Sequence, residues 1–343
     1  MNGGRIPVSL ITGAAGEIGQ ALLHRLAERT GEAIVTVDLR PLSAGGPGRP
    51  HREHFRGDIL DPALWEGLLR RYRPTVIFHL AAILSTRAES APVLAHRVNA
   101  DGAARLLAVA ADLATPDEPI RFVFPSSIAV YGLPSQEAGE AAAPVSEDEH
   151  LDPATLYGAQ KLYVERLGAT MERLGDGLDF RAVRLPGLIS SDTLPQGGTS
   201  DWAPELIHAA ARGEPYSCFV NPGARLPFCA MPDAVEGILR LAFREKAFLT
   251  RSAYNLGGAS LSAAEIIARV ARDFPDLEVR FELDRGRDRI VAGWPGAVDD
   301  TAARRDFGFA PEHDGETLFS RYLIPGIRRR YRTGGRHPGT LPR

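Results

Sequence analysis

The sequence predicts an α/β protein, a doubly wound parallel sheet followed by a smaller mixed α/β lobe. Three observations carry that expectation. Short β-branched runs alternate with helical patterns through the first half, as repeated βαβ units do. The first of these runs, Val8 to Thr12, opens directly into a glycine-rich turn and then into the helical pattern of Ile18, Leu22, Leu23 and Leu26. After Arg184 the regularity breaks, and residues 186–232 are rich in Gly and Pro.

Taken in order, strands are expected near 7–12, 33–38, 53–56, 75–80, 121–126 and 180–185, with helices near 17–29, 62–72, 92–113 and 155–174. Pro41 to Pro50 reads as a surface loop. Further helices are expected near 203–212, 233–245 and 262–273, and a strand near 277–283. The resulting division is 1–185 for the parallel sheet, 186–327 for a lobe that partly returns to that sheet, and 328–343 for a flexible arginine-rich tail.

Composition narrows the function. With 343 residues, 44% hydrophobic and 24% charged, the chain is an ordinary globular protein, and a net charge of −3 gives no reason to expect a nucleic-acid partner. Its two cysteines, Cys218 and Cys229, read as reduced thiols in a cytoplasmic protein. The N-terminal MNGGRIPVSL lacks an apolar leader, and no run reaches the ~20 apolar residues of a membrane span. His51 and His54 lack further ligands nearby, so no metal is expected. His79, inside a strand, reads as a satisfied core histidine.

The turn reads Gly13-Ala14-Ala15-Gly16-Glu17-Ile18-Gly19. Glycines between a strand and a helix let backbone N–H groups approach a pyrophosphate at the positive end of the helix. Asp38 closes the next strand, where a carboxylate accepts bonds from a ribose diol and repels a 2′-phosphate. The pairing points to NAD rather than NADP, a preference that Arg40 weakens. Asp58, followed by Ile59, stands where a carboxylate reaches an adenine edge. Asp61, before Pro62, reads equally as a helix N-cap.

Tyr157 and Lys161 lie four residues apart, so one helix face carries both a phenol and an ammonium. A neighbouring cation lowers a tyrosine's pKa and fits it to exchange a proton with an alcohol while hydride moves to nicotinamide. Upstream, Ser126 and Ser127 follow the apolar run Phe122-Val123-Phe124 and Pro125, at the carboxyl end of a parallel strand.

The G-x-x-G-x-x-G spacing with a Tyr-x-x-x-Lys pair resembles the short-chain dehydrogenase/reductase superfamily and its Rossmann-type fold. Ser126-Ser127-Ile128-Ala129-Val130-Tyr131-Gly132 and Leu156-Tyr157-Gly158 look like its extended branch, the NAD-dependent epimerases and dehydratases. Sugar 4,6-dehydratases carry an Asp-Glu pair after the serine or threonine, and the Ile128-Ala129 found here excludes that elimination. Ala81-Ala82-Ile83-Leu84-Ser85, Arg184-Leu185-Pro186-Gly187-Leu188-Ile189-Ser190, Gly197-Gly198-Thr199-Ser200-Asp201-Trp202 and Trp294-Pro295-Gly296-Ala297-Val298-Asp299-Asp300 resemble the short-chain-type L-threonine 3-dehydrogenases, over about residues 8–312.

That resemblance implies oxidation of C3 of L-threonine by NAD, with Tyr157 taking the hydroxyl proton, Lys161 lowering its pKa and Ser127 (or Ser126) bonding the reacting oxygen. It implies cofactor contacts from Gly13, Gly16, Glu17, Ile18, Gly19, Asp38, Asp58, Ile59, Leu80, Ala81, Ala82, Asn99, Ser126, Tyr157, Lys161, Leu185, Pro186 and Leu188. Substrate contacts are expected from Ser85, Ser127, Tyr157, Gly187, Thr199, Ser200 and Trp294. Asp201 or main-chain carbonyls would then take the ammonium. The family usually has two threonines where this chain has Thr199-Ser200.

Several of these residues have plainer readings. Ser85 serves equally to cap a loop, Thr199 to shape a turn, Trp294 to pack the lobe, and Asn99 to bond backbone and support the lysine indirectly. Relatives pair through the helices near 92–113 and 155–174, so a homodimer is expected by analogy. Three rival functions stand beside the threonine reading: a nucleotide-sugar 4-epimerase with tightly bound NAD, a non-catalytic NAD sensor, and a dehydrogenase of another β-hydroxy amino acid, hydroxy acid or sugar acid.

Overall fold

Seven parallel strands form the main sheet of the computed structural model, which describes residues 6–28, 31–42, 52–133, 143–195 and 197–332. The strands in chain order are β1 (Val8–Thr12), β2 (Ala33–Asp38), β3 (Arg52–Arg56), β4 (Val76–His79), β5 (Ile120–Ser127), β6 (Leu178–Leu185), β7 (Gly187–Ile189), β8 (Tyr216–Cys218), β9 (Arg225–Ala230), β10 (Ala253–Asn255), β11 (Ala259–Ser262) and β12 (Val279–Phe281). The sheet order is β10-β6-β5-β4-β1-β2-β3, so the chain reverses direction across the sheet beside β1. Open sheets of this kind bind ligands outside the carboxyl ends of the strands at that reversal.

The helices that position the site are α1 (Glu17–Ala27), α2 (Pro62–Tyr72), α3 (Ser85–Ser90), α4 (Pro92–His96), α5 (Ala103–Leu113) and α6 (Leu156–Leu174). Their apolar stripes pack on both faces of β1, β4, β5 and β6, whose own residues are almost all buried. Burial on both faces explains why these strands read as continuous apolar runs. The six strands and four helices expected in the first half are therefore present.

Two details differ from the expectation. The stretch 92–113 is a composite of α4, a wide π-helical turn over Arg97–Gly102, and α5. Asn99 lies in that turn, and Gly102 admits Ile59, whose Cδ1 would be 3.0 Å from a Cβ at that position. Short α3 was also not expected, because six residues display too little periodicity.

The second lobe holds a three-stranded sheet, β11-β9-β7, and a parallel pair, β12-β8. Around them lie α7 (Trp202–Arg212), α9 (Ala263–Asp273) and α10 (Arg285–Ala292), over a core in which the Trp202 and Phe228 rings meet edge to face at 5.3 Å. The intervening α8 (Met231–Phe243) and β10 belong to the large sheet, with β10 pairing beside β6. Strand β9 escaped the sequence reading because Pro227 interrupts it, and β7, β8, β10 and β11 are only three or four residues long.

The stretch expected as a flexible tail from Arg328 begins as helix. Ile324–Arg332 continues the fold, Ile324 and Ile327 are buried, and the Tyr331 hydroxyl lies 2.9 Å from His208 Nδ1. The apolar residues of this helix face the core and the arginines from 328 to 330 keep contact with solvent, which an arginine count alone hides. Residues 333–343, residues 43–50 of the expected Pro41–Pro50 loop and His51 lie outside the described residues. Cys218 and Cys229 are free and buried. No helix among the described residues is long and apolar enough to cross a membrane.

Candidate active site at the carboxyl edge of the sheet

The glycine turn is built by close approach. Gly13 adopts φ +68°, and a Cβ there would sit 2.6 Å from the backbone nitrogen of Ala81. A Cβ on Gly19 would sit 2.5 Å from the Gly13 carbonyl oxygen, so only glycine lets α1 settle against the turn. Gly16 caps α1 without a side-chain hydrogen bond to its N-terminal N–H groups. The residues present therefore fit a dinucleotide: a bare helix N-terminus and a cradle that a Cβ would fill, with a carboxylate on the neighbouring strand.

That carboxylate, Asp38, ends β2 and accepts the Ala15 N–H at 2.9 Å and the Arg40 N–H at 2.9 Å. Arg40 folds back over the turn and donates to the Ala15 carbonyl at 3.0 Å. Asp58 is exposed and accepts the Leu60 N–H at 2.9 Å. The Ile59 side chain points into the core, and its carbonyl accepts from Trp65 Nε1 at 2.7 Å. Asp61 is the N-cap of α2, accepting the Ala63 N–H at 3.0 Å. Leu80, Ala81 and Ala82 line the exit of β4, where Ala81 N–H donates to the Thr12 hydroxyl at 3.2 Å.

His79 is the core histidine expected. Its Nδ1 lies 2.8 Å from Thr12 Oγ1, and complete burial pushes its pKa down to about 3. Asn99 is spent on the protein. It accepts the Ile83 N–H at 2.7 Å, donates to the Ile83 carbonyl at 3.0 Å and donates to Gln160 Oε1 at 2.8 Å. It holds the loop after β4 to the residue preceding Lys161, which is the indirect role the sequence left open.

The proton-transfer candidates meet at the end of β5. Ser127 pairs in register with Leu185, so Pro186, Gly187 and Leu188 emerge beside it. Ser127 Oγ accepts the Ala129 N–H at 3.1 Å, which leaves its own proton to donate. Ser126 Oγ is buried with no hydrogen-bond partner among the described residues. Lys161 is 5% exposed; its Nζ donates to the Pro125 carbonyl at 2.6 Å and stands 4.4 Å from the Phe124 ring centroid and 5.5 Å from that of Tyr157.

Electrostatics here correct one expectation. Tyr157 was expected to have a lowered pKa, but burial raises it. Burial also pushes Lys161 down to about 7, against the opposing charge of Glu165. Desolvation disfavours both charged forms, and a cation facing the ring instead of the hydroxyl does not reverse it.

Across the cleft, Ser85 Oγ lies 2.9 Å from Thr199 Oγ1 and accepts the Thr199 N–H at 3.2 Å, with both side chains buried. Asp201 shapes this loop by accepting the N–H groups of Gly197 and Gly198 at 2.8 and 2.7 Å. Both of these bonds fall on its Oδ2. Ser200 is half-buried, and Trp294, 4% exposed, packs in the lobe core.

Three residues that the sequence did not mark also hold the cleft. Thr193 donates to Glu17 Oε2 at 2.8 Å, Arg287 donates to the Gly198 carbonyl at 3.0 Å, and Glu89 bonds the first turn of α6. No local pattern announces them, since each acts on a segment distant in sequence.

Residues 9–257 match the NAD dependent epimerase/dehydratase family. A mitochondrial L-threonine 3-dehydrogenase from Sus scrofa is 31% identical over 313 residues, covering 90% of this chain and 79% of that protein. The holo form of a GalE-like L-threonine dehydrogenase from Cupriavidus necator superposes with a TM-score of 0.82 at 33% identity, covering 94% of this chain and 99% of the other. An L-threonine 3-dehydrogenase from Trypanosoma brucei gives 0.81 at 33% identity, covering 94% and 97%. The chain belongs to the NAD-dependent epimerase/dehydratase family, the extended short-chain dehydrogenases/reductases, and is an oxidoreductase whose cofactor is NAD.

Proposed function

We propose that this protein oxidises the C3 hydroxyl of L-threonine to 2-amino-3-oxobutyrate, a product able to lose CO₂ and yield aminoacetone. The observation that carries the reading is the buried Ser85–Thr199 hydroxyl pair, whose Ser85 begins the short helix α3 that bonds the backbone of Tyr157 through Glu89. Hydroxyls in that place suit a substrate carboxylate, and the relatives named as L-threonine dehydrogenases span nearly the whole chain.

NAD, when bound, supplies the hydride acceptor. Gly13, Gly16 and Gly19, with the backbone of Glu17 and Ile18, would hold its pyrophosphate, Asp38 a ribose diol, and Leu185, Pro186 and Leu188 one face of the nicotinamide. Tyr157 takes the C3 hydroxyl proton on its phenolate oxygen, Ser127 donates to the reacting oxygen, and Lys161, buried beside the Tyr157 ring, would hold the nicotinamide ribose. Gly187, Thr199, Ser200 and the edge of Trp294 bound the substrate side.

A nucleotide-sugar epimerase needs basic side chains for a diphosphate, and Arg225 of the second lobe is already engaged within the protein. Its guanidinium donates to the Ser260 carbonyl at 2.8 Å and pairs with Glu265 at 3.0 Å. A homodimer through the helices spanning 92–113 and 155–174 is part of the same proposal. Val93, Leu94 and Tyr163 are exposed there, and a monomer by light scattering would contradict it.

The deciding experiment is an NADH absorbance screen across L-threonine, its stereoisomers, serine, 3-hydroxy acids and sugar acids. Preferential reduction with L-threonine is expected. A clear preference for another hydroxy acid would reassign the substrate, and conversion of UDP-galactose without net NADH would replace the reaction class.

A further inference from the structure

The segment from Ile83 to Glu89 is pinned at three places. Asn99 takes both backbone groups of Ile83 and passes the restraint to Gln160, one residue before Lys161. Ser85, the first residue of α3, is locked to Thr199 of the second lobe. In the last turn of α3, Glu89 Oε1 accepts the backbone N–H of Leu156 at 2.7 Å and that of Tyr157 itself at 3.3 Å.

The first turn of α6 is thus anchored twice, since Thr155 Oγ1 takes the Gly158 N–H at 3.0 Å. The two anchors differ in what they join. Thr155 belongs to the chain that enters α6 and gives it only a local cap. Glu89 reaches over from a segment 67 residues earlier, whose other end carries Ser85. Glu89 is exposed, so burial does not dictate a carboxylate at this position. A shorter side chain would not span the gap.

We propose that Glu89 is a positioning residue for the reaction. By fastening the Ser85 helix to the backbone of Tyr157, it fixes the phenol relative to the Ser85–Thr199 hydroxyls. Helix α3 then acts as a strut between the second lobe and the proton-transfer group. The proposal rests on the reading of Tyr157 as the acid–base residue. A displacement of about 1 Å in such a group costs up to roughly a hundredfold in rate, so the chemical step should feel the loss more than binding does.

The test compares Glu89→Ala, Glu89→Asp and Glu89→Gln with the parent enzyme, reading kcat, KM, NAD affinity by fluorescence and the primary isotope effect of C3-deuterated L-threonine. Glu89→Ala and Glu89→Asp are expected to lower kcat by roughly tenfold or more and to raise the isotope effect, with NAD affinity unchanged. Glu89→Gln, whose amide oxygen still accepts both N–H groups, is expected to keep kcat within about twofold of the parent. A Glu89→Ala enzyme at the parent kcat, a change in KM alone, or equal losses in the Gln and Ala variants would overturn the proposal. If the screen returns a hydroxy acid other than L-threonine, the same series is read on that substrate. Tyr157→Phe, measured alongside, separates the two ideas. If it turns over near the parent rate, the acid–base reading fails; if it is inactive while Glu89→Ala is indifferent, only the strut fails.

Discussion

The two halves of the cleft are held by different means. On the cofactor side, each chemical group sits on a regular element: the glycine turn between β1 and α1, Asp38 at the end of β2, Ser127 at the end of β5, and Tyr157 and Lys161 on α6. On the proposed substrate side, residues 197–201 form a loop held by side chains, Ser85 and Arg287 from distant segments and Asp201 from the loop itself. Sheet and helix hydrogen bonds fix the first half whatever the ligand, whereas a few side-chain bonds fix the second. On the proposed reading, the groups assigned to chemistry therefore sit on regular elements, and those assigned to the substrate sit on a loop held by side chains.

The sharpest break of that contrast is Tyr157→Phe. Removing the proton acceptor should cut kcat by roughly 10²- to 10⁴-fold and leave NAD affinity intact. Turnover close to the parent rate, measured as NADH formation, would show that the rigid half does not carry the proton.

Next in size is Gly19→Ala. Its methyl group would meet backbone at 2.5 Å, so α1 must shift or NAD binding must fail. An affinity loss of tenfold or more is expected from this overpacking of roughly 1–3 kcal/mol, and an unchanged dissociation constant would contradict the tight fit.

Thr199→Val tests the other half. It removes the hydroxyl–hydroxyl bond to Ser85 in a buried place and leaves Ser85 only the backbone N–H of residue 199, a cost of about 1 kcal/mol that should appear mainly in KM, with kcat less affected. A fall in kcat with KM unchanged would show that the loop contributes to the chemical step.

Two smaller effects follow from charge. Burial raises the Tyr157 pKa, and oxidation needs the phenolate, so kcat/KM should climb with pH into the alkaline range instead of levelling near neutrality. A plateau reached below pH 8 would mean the tyrosine is tuned down after all. Asp38→Ala should narrow the preference for NAD over NADP, read as the ratio of kcat/KM values. Unchanged discrimination would remove the diol-binding role.

The same contrast explains what the sequence disclosed. Strands β1, β2, β4, β5 and β6 were legible because burial on both faces leaves largely apolar runs, unlike the exposed edge strand β3, and the glycine turn and Tyr157–Lys161 because one local element carries each. Asp61 and His79 were legible as structural residues for the same local reason. Glu89, Thr193 and Arg287 were not, because a bond across 67, 176 or 89 positions leaves no local pattern. The π-helical turn at Asn99 was hidden as well, and the bonds that Asn99 makes there reach back to Ile83. The direction of the Tyr157 shift was misjudged because spacing reports a neighbouring charge and is blind to desolvation.

The account depends most on where the hydride comes from. L-Threonine deuterated at C3, incubated with the enzyme and unlabelled NAD, allows the reduced cofactor to be weighed by mass spectrometry. One deuterium per NADH is the expected result. NADH without the label, or no reduced cofactor at all from this substrate, would contradict oxidation at C3.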